Sequence, residues 1–432
     1  MNNKILFILL NFILMFTSSN SFDFSQFEYI YRNYDSSFYN SNFYIREVEA
    51  LKYRTDFLVG VDCSMVSIIE ERGGKYYDFD YKEVDFYKLL KANGVNLVRS
   101  RLWHNPYSSS GINGGGYNDR NRVLSMALRA KNAGLKFLLD FHYSDNWVDP
   151  SNQNCPSAWE SLSFDEAASA LYTYTQETIE YFIKNGATID YVQIGNEINN
   201  GFMFPFGKID MSTTSTKTSG LDTVAYLLNI AINAVKSLSP STKIILHTGD
   251  DSLKTRYENG KNVPIGLWFF EEMNARWVNY DIASVSFYLF YHHTNGDYLD
   301  MNTITDSINQ FSESLGKQFM IMEYSTAYTL NTHYYANNQF GETQKYLIES
   351  EYPVSFQGQV NFIIDLAEKI AWANNNMGIG LCYWGGDWIP VEGAGWSDYW
   401  SKSSWSNQAL FTYDGLATPA LAAMNVLNPN YS

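Results

Sequence analysis

Short apolar runs recur along the chain from Asp56 onward, and each has the length of a buried strand. We predict eight strands from them: Phe57–Asp62, Asn96–Leu102, Lys136–His142, Tyr191–Gly195, Lys243–His247, Ile282–Phe287, Gln318–Met322 and Gly378–Trp384. Apolar residues at helical spacing fill the intervals between the strands. The predicted helices are Tyr81–Asn93, Val123–Ala133, Ser163 to about Gly186, Val224–Leu238, Ile265–Trp277, Thr303–Leu315, Val360–Asn374 and Pro419–Asn425.

This alternation of strands and helices predicts the α/β class and a single (β/α)₈ TIM barrel domain. The alternative is an open doubly wound sheet, which would place a glycine-rich dinucleotide turn after the first strand. The sequence has no such turn there, and the triplet Gly114–Gly116 follows the second strand instead. The barrel is therefore the favoured fold.

The first 55 residues do not follow this rhythm. Lys4 precedes an apolar run from Ile5 to Phe16, and small polar residues follow up to Ser21, which is the form of a secretory signal. We assign residues 1–21 to a signal peptide, 22–55 to a partly ordered N-terminal arm and 56–432 to the barrel domain. The mature protein is therefore expected to be secreted.

Composition narrows the range of partners. The net charge of −16 argues against nucleic acid and anionic membranes, because polyanions would be repelled. Aromatic residues make up 17% of the chain, which suits both sugar-stacking surfaces and the core of a large barrel. The three cysteines, Cys63, Cys155 and Cys382, allow either one disulfide with one free thiol or three free thiols.

Polar and ionisable residues occur at the end of every predicted strand, which is where a TIM barrel carries its function. In chain order they are Asp62, Arg99 and Arg101, His142 with Asp145, Asn196 with Glu197, His247 with Asp250, Tyr288, Glu323, and Trp384 with Asp387. Any one of them has an ordinary explanation as a helix cap or loop residue. Their recurrence on eight successive strands favours a functional cleft.

Glu197 and Glu323 follow strands four and seven, which lie across the mouth of a barrel. Inward-pointing carboxyls there would approach within roughly 5–5.5 Å, the separation found in retaining glycosidases. One carboxyl would protonate the leaving oxygen while the other attacks the anomeric carbon. The pattern does not say which glutamate takes which role. Asn196 suits a sugar 2-hydroxyl, and Tyr288 with either Arg99 or Arg101 would hold Glu323.

The same residues lie within longer segments that match one family. These segments are Gly60–Asp62, Val98–Trp103, Leu139–Asp145 with Trp147, Val192–Ile198, Glu323–Ser325, Tyr383–Trp384 and Asn407–Phe411. From about Gly60 to Asn425 the chain resembles glycoside hydrolase family 53, the arabinogalactan endo-β-1,4-galactanases of clan A. The resemblance implies that Glu197 is the acid/base, that Glu323 is the nucleophile, and that the partner is the β-1,4-galactan of type I arabinogalactan.

The resemblance also implies a monomeric, retaining endo-hydrolase that needs no cofactor. Some relatives bind calcium through a loop rich in Asp, His and Asn. The corresponding stretch here, residues 331–338, contains no Asp, so calcium is an alternative that it supports poorly. The alternatives for function are a clan A endoglucanase or mannanase, and a noncatalytic carbohydrate-binding protein on the same scaffold.

Tryptophans at the strand ends are candidate platforms for sugar rings, although each could also be a core residue. Trp384, directly at the end of strand eight, is assigned to the sugar beside the scissile bond. His142 could be a buried core histidine, but Asp145 and Trp147 next to it favour a position on the cleft wall.

Overall fold

Eight parallel strands close into a barrel in this computed structural model, which describes residues 20–23, 42–292, 300–338, 341–342, 348, 350–398, 401–403 and 405–428. Neighbouring strands follow chain order, and the last strand pairs with the first. The strands are β1 Leu58–Asp62, β2 Leu97–Leu102, β3 Lys136–Phe141, β4 Tyr191–Ile194, β5 Lys243–Thr248, β6 Ile282–Phe287, β7 Gln318–Tyr324 and β8 Gly378–Tyr383. The predicted TIM barrel is confirmed.

Helices connect the strands and pack around the barrel. They are α1 Val66–Glu71, α2 Phe86–Ala92, α3 Arg120–Asn132, α4 Phe164–Lys184, α5 Thr214–Leu238, α6 Leu267–Ala275, α7 Leu289–His292, α8 Ile304–Leu315, α9 Phe356–Ala371 and α10 Pro419–Leu427. Within the described part of the chain, every helix is too short or too polar to cross a lipid bilayer.

Several helices differ from the sequence prediction, and three of them show why. Helix α2 begins at Phe86 rather than Tyr81, because Asp85 caps it by accepting the backbone N–H of Lys88. Helix α5 begins well before Val224, since Thr213 caps a polar first turn that carries no apolar period. Helix α1 was not predicted, because it is too short for periodicity to reveal it.

The interior of the barrel changes from apolar to polar along the strands. Its floor is a cluster separate from the main core, formed by Leu58, Leu97, Leu138, Ile245, Ile282, Met320, Met322, Ile379 and Cys382. Successive inward positions are two residues apart, so β2 places Leu97 in the floor and Arg99 above it, while β3 does the same with Leu138 and Asp140. This gradient sets a polar layer on an apolar base at the carboxyl ends of the strands.

The described part of the predicted arm packs against helix α9. Strand Asn42–Ile45 pairs with Asn20–Asp23, and the Gln357 side chain bonds both the N–H and the carbonyl of Tyr44 at 2.8 Å. Arg46 adds ion pairs to Asp365 and Glu368 at 2.7 Å. Residues 1–19 of the predicted signal peptide and residues 24–41 of the predicted arm lie outside the described residues, whereas residues 20 and 21 of the predicted signal peptide belong to the strand Asn20–Asp23.

Two short hairpins extend the loops above the barrel, pairing Gly201–Phe202 with Gly207–Lys208 and Thr255–Glu258 with Lys261–Pro264. All three cysteines are buried free thiols. Of the two cysteine arrangements that the sequence allows, the structure therefore has three free thiols.

Candidate active site

A cleft of about 310 Å³ opens where the barrel strands end. It contains most of the residues predicted from the strand ends: Arg99, Arg101, His142, Trp147, Asn196, Glu197, Tyr288, Glu323 and Trp384. Asp62, Val148, Asp149, Asp250, Trp396 and Trp405 complete its wall. The volume is at the lower end of the range for small-molecule sites.

Glu323 is held at both of its oxygens. It lies near the end of β7 and is only 7% exposed. Its Oε1 accepts Arg99 Nη1 at 2.7 Å, and its Oε2 accepts the Tyr288 hydroxyl at 2.9 Å. Burial raises the pKa of Glu323, whereas the Arg99 charge and the Tyr288 hydrogen bond lower it and limit that rise. The carboxylate is thus fixed in one orientation and stabilised as an anion.

Arg99 connects this carboxylate to the rest of the polar layer. Its side chain is 1% exposed, and Nη2 donates to Asp140 at 2.8 Å and to the Asn196 side-chain oxygen at 2.9 Å. Its Nε donates to Gln193 at 3.2 Å. One guanidinium therefore sets the positions of Glu323 and Asn196 together, because its planar fork fixes the directions of its hydrogen bonds.

Glu197 follows β4 in a tight turn with left-handed backbone. Gly195 and Glu197 have φ of 74° and 51°, and a glutamate in that region is uncommon. Its Oε1 lies 2.7 Å from the Ser286 hydroxyl. Burial raises the pKa of Glu197 well above the usual range, and the nearby Glu323 charge raises it further. Both effects favour the protonated form of Glu197.

Comparison with known proteins agrees with this geometry. The model of glycosyl hydrolase family 53 matches residues 58–424, which is most of the chain. The chain belongs to this family. It is accordingly a glycoside hydrolase.

Relatives and solved structures support the same membership. The chain is 31% identical to the endo-beta-1,4-galactanase of Bacillus subtilis over 88% of this chain and 87% of that protein. It is 32% identical to the arabinogalactan endo-beta-1,4-galactanase of Cellvibrio japonicus over 83% of this chain and 87% of that protein. The Ignisphaera aggregans GH53 catalytic domain superposes with a TM-score of 0.78 at 34% identity, covering 89% of this chain and 99% of that chain.

His142 lies in the cleft wall of this family 53 chain and is also buried in a hydrogen-bond network. Its Nε2 is 3.0 Å from Asp140, and its Nδ1 accepts the Trp103 indole N–H at 3.2 Å. Burial lowers its pKa, so the ring is neutral at neutral pH. Both interpretations of His142 from the sequence are therefore met at once.

Arg101 takes a different position from Arg99, although both lie on the inward face of β2. Its guanidinium lies 4.2 Å from the Trp147 ring centre and 4.9 Å from that of Trp103. Its Nη2 donates to the Gly115 carbonyl. Burial lowers the pKa of Arg101 to about 10. Of the two arginines between which the sequence did not choose, Arg99 contacts Glu323.

Asp145 does not take the cleft position expected from its sequence neighbours. Its oxygens accept hydrogen bonds from Ser108 at 2.7 Å, from Ser157 at 2.6 Å and from the backbone of Asn105 at 2.9 Å. Burial raises its pKa, but hydrogen bonds from His104, Ser157 and Ser108 outweigh burial and lower it to about 2. Asp145 therefore ties loops together behind the wall.

Several residues of the site were not predicted from the sequence. Trp405 and Val148 lie on loops without periodicity, and Gln193 and Ser286 are uncharged residues inside strands. The signal that could have found Ser286 is its place two residues beyond Ser284 on the inward face of a strand. A small polar residue at that position is hard to separate from ordinary packing.

The described residues contain no cluster of three or more His, Cys, Asp or Glu side chains that could hold a metal ion. Among the cleft carboxyls, Asp62 and Glu323 are paired with Arg99, and Glu197 accepts a hydrogen bond from Ser286.

Proposed function

We propose that this chain is a secreted endo-β-1,4-galactanase that cleaves the galactan of type I arabinogalactan with retention of configuration. The observation that carries the proposal is a pair of cleft carboxyls with opposite surroundings, one beside a cation and one beside a neutral hydroxyl. The names of the Bacillus and Cellvibrio relatives support galactan as the substrate.

In the proposed mechanism, Glu323 is the nucleophile. Arg99 and Tyr288 hold its two oxygens, so one of them is directed at the anomeric carbon while the negative charge stays stabilised. Attack forms a glycosyl-enzyme, and the C4 oxygen of the departing chain leaves.

Glu197 is the proposed acid/base. As the protonated member of the pair, it donates its proton to the leaving oxygen in the first step. Glycosylation of Glu323 removes the neighbouring negative charge, which lowers the pKa of Glu197 and prepares it to act as a base toward water. The second displacement restores the original configuration.

Neighbouring side chains are proposed to hold the sugar. Asn196 projects from the same turn as Glu197 and suits the 2-hydroxyl, with its amide fixed by Arg99. Trp384 offers an indole face in the cleft, in contact with Trp388 and Trp405 at ring-centre distances of 4.7 and 5.0 Å. Apolar C–H faces of a sugar ring pack on such a surface. These steps call for no cofactor, and calcium stays outside the proposed mechanism.

Substrate digestion tests the function directly. Purified protein is incubated with β-1,4-galactan, mannan and carboxymethyl-cellulose, and the release of reducing ends is followed. We expect turnover on galactan and little on the other two polymers. Faster cleavage of mannan or carboxymethyl-cellulose would identify the protein as the alternative mannanase or endoglucanase. Binding of galactan without cleavage would indicate a noncatalytic carbohydrate-binding protein.

Product stereochemistry tests the mechanism separately. Proton NMR of the first product is expected to show the β-anomer, with the α-anomer appearing only through mutarotation. An initial α-anomer would contradict retention.

Detection of the mature protein in culture medium, with a new N-terminus near residue 21, tests export.

A further inference from the structure

A chain of hydrogen bonds leads from Glu197 into the barrel wall. Ser286 Oγ lies 2.7 Å from Glu197 Oε1 and 3.0 Å from His247 Nε2. His247 Nδ1 lies 3.0 Å from the Asn196 side-chain oxygen. Ser286 and His247 are both fully buried, so the bonds of His247 to Ser286 and Asn196 are shielded from bulk water.

The donor and acceptor of each hydrogen bond in this series follow from the Asn196 amide at its far end. The Asn196 amide is fixed, since its Oδ1 accepts Arg99 Nη2 at 2.9 Å and its Nδ2 donates to the Val148 carbonyl at 3.0 Å. His247 Nδ1 lies 3.0 Å from this acceptor, and Gln193 Nε2, which is 3.3 Å from the same nitrogen, donates to the Gly195 carbonyl at 2.9 Å. This arrangement favours the proton on His247 Nδ1. Burial and the Arg99 charge lower the pKa of His247 well below its usual value, so the ring is neutral and Nε2 is an acceptor.

Ser286 has one hydroxyl proton and two neighbours that can receive it. When that proton is given to His247, Ser286 Oγ can only accept from Glu197, which requires a protonated Glu197. When Glu197 is ionised, its oxygen needs a donor, and the Ser286 hydroxyl is the one at hand. The two directions of the hydroxyl thus correspond to the two protonation states of Glu197.

We propose that Ser286 is a positioning residue for acid/base catalysis, whose hydroxyl turns from His247 to Glu197 when Glu197 gives up its proton and turns back when Glu197 regains it. No covalent bond of Ser286 breaks. The proton that reaches the leaving oxygen comes from Glu197, and the proton that returns comes from the attacking water. This role rests on the proposed function, because it takes Glu197 as the acid/base.

Other charged groups also face the two titrating residues. Glu323 on β7, Asp250 after β5 and Asp149 after β3 all raise the pKa of Glu197. Arg99 and His142 lower that of His247. None of them is changed by substitution at Ser286, so the pH dependence of the variants isolates the hydroxyl.

The test is a double-mutant cycle between His247→Leu and Ser286→Ala, read as the basic limb of kcat/KM on galactan. The basic limb reports deprotonation of Glu197 in the free enzyme. His247→Leu removes the group that accepts the Ser286 proton while Glu197 is protonated. The protonated form of Glu197 then loses this support and its pKa falls, so the limb should move to lower pH by about half a unit to one unit. In the Ser286→Ala background, His247→Leu should cause no further shift.

The sign of the shift separates this role from other interpretations. A cationic His247 would favour the Glu197 anion, so its removal would move the limb to higher pH and overturn the proposal. An unmoved limb, or a shift that persists when Ser286 is alanine, would overturn it as well.

Turnover gives a second readout if His247→Leu does not fold. Ser286→Ala is expected to lower kcat about tenfold, because the forming carboxylate loses its donor, and Ser286→Thr should restore most of that loss. The control is Ser284→Ala on the same strand, since the buried Ser284 hydroxyl donates to the Leu246 carbonyl at 3.0 Å and should leave kcat unchanged. Full kcat in Ser286→Ala would overturn the role.

The wild-type protein in the same series keeps the two proposals distinct. If it cleaves galactan normally while the variants show no shift, only the role of Ser286 fails. If it does not cleave galactan at all, the proposed function fails, and the role of Ser286 fails with it.

Discussion

Glu323 and Glu197 line the same cleft, yet their partners differ in charge and rigidity. Glu323 accepts hydrogen bonds from a guanidinium and a phenol, and both of these donors are buried. Glu197 meets a serine hydroxyl that can either donate or accept. The partners of Glu323 therefore favour its anion, whereas the partner of Glu197 can serve either of its protonation states.

This difference teaches how a barrel assigns two roles to one residue type. A nucleophile has to stay ionised until it attacks, and a fixed cation achieves that. An acid/base has to lose and regain a proton in each cycle, which a fixed cation would oppose. On the proposed roles, the groups that strands β2 and β6 place beside the two glutamates would decide which of them attacks and which transfers the proton.

Removing the proposed nucleophile should have the largest effect. Glu323→Ala is expected to lower kcat on galactan on the order of 10⁶-fold, as for the loss of other covalent nucleophiles. Binding should persist, because the stacking surface around Trp384 is untouched. Affinity electrophoresis in a galactan gel measures binding, and reducing-end release measures turnover. Comparable turnover in the variant would refute the assignment of Glu323.

Removing the acid/base should cost less. Glu197→Ala is expected to lower kcat about 10²- to 10⁴-fold, the usual contribution of general acid–base catalysis. Azide should rescue the second step, because a small anion needs no deprotonation before it attacks. The product should be the β-galactosyl azide, as double displacement requires. An α-galactosyl azide, or a lack of rescue by azide, would contradict the assignment of Glu197 as the acid/base.

The placement of both glutamates at the barrel mouth could be predicted from the sequence, because the parallel strands of a barrel end at one rim. Period-two alternation alone would not place Glu323 inward, since Met320 and Met322 lie in the floor and the register of β7 shifts before Tyr324. The partners could not. Arg99 and Arg101 share a face and a residue type, and only the packing above them separates the arginine at Glu323 from the one between two tryptophans. The local sequence does not show which side chains of different strands contact each other.

Residues that reach the site from irregular segments escaped prediction for a related reason. Trp405 lies in a loop whose course depends on tertiary contacts, and Ser286 resembles any small polar residue of a strand. The prediction for Asp145 was wrong in the opposite sense, because Asp145 was expected in the cleft and lies behind its wall. It follows His142 closely in sequence, but the chain turns away after β3, and loop donors take up both of its oxygens.

Replacing the cation beside the nucleophile should have an intermediate effect. Arg99→Lys keeps the charge but loses the fork that joins Glu323 to Asp140 and Asn196. Loss of two charged hydrogen bonds, about 1.5 kcal/mol each, predicts roughly a hundredfold lower kcat. Arg101→Lys is the matched comparison on the same strand, and it should change KM more than kcat. An equal loss of kcat in the two variants would contradict the distinction between the arginines.

The smallest effect should come from removing one neutral donor beside Glu323. The Tyr288 hydroxyl stabilises the carboxylate and so lowers the pKa of Glu323, which means that Tyr288→Phe should raise it. Because Glu323 has to be ionised to attack, the acidic limb of kcat/KM should move to higher pH by about one unit. At the optimum, kcat should fall about tenfold.

A control for Tyr288→Phe lies on the strand that carries the nucleophile. Tyr324→Phe removes a buried hydroxyl that has no hydrogen-bond partner among the described residues, so it should leave both the limb and kcat in place. If Tyr288→Phe moved the acidic limb to lower pH, the phenol would not be a donor to the anion. Glu323 would then rely on Arg99 alone, and the contrast with Glu197 would come down to the presence of one cation.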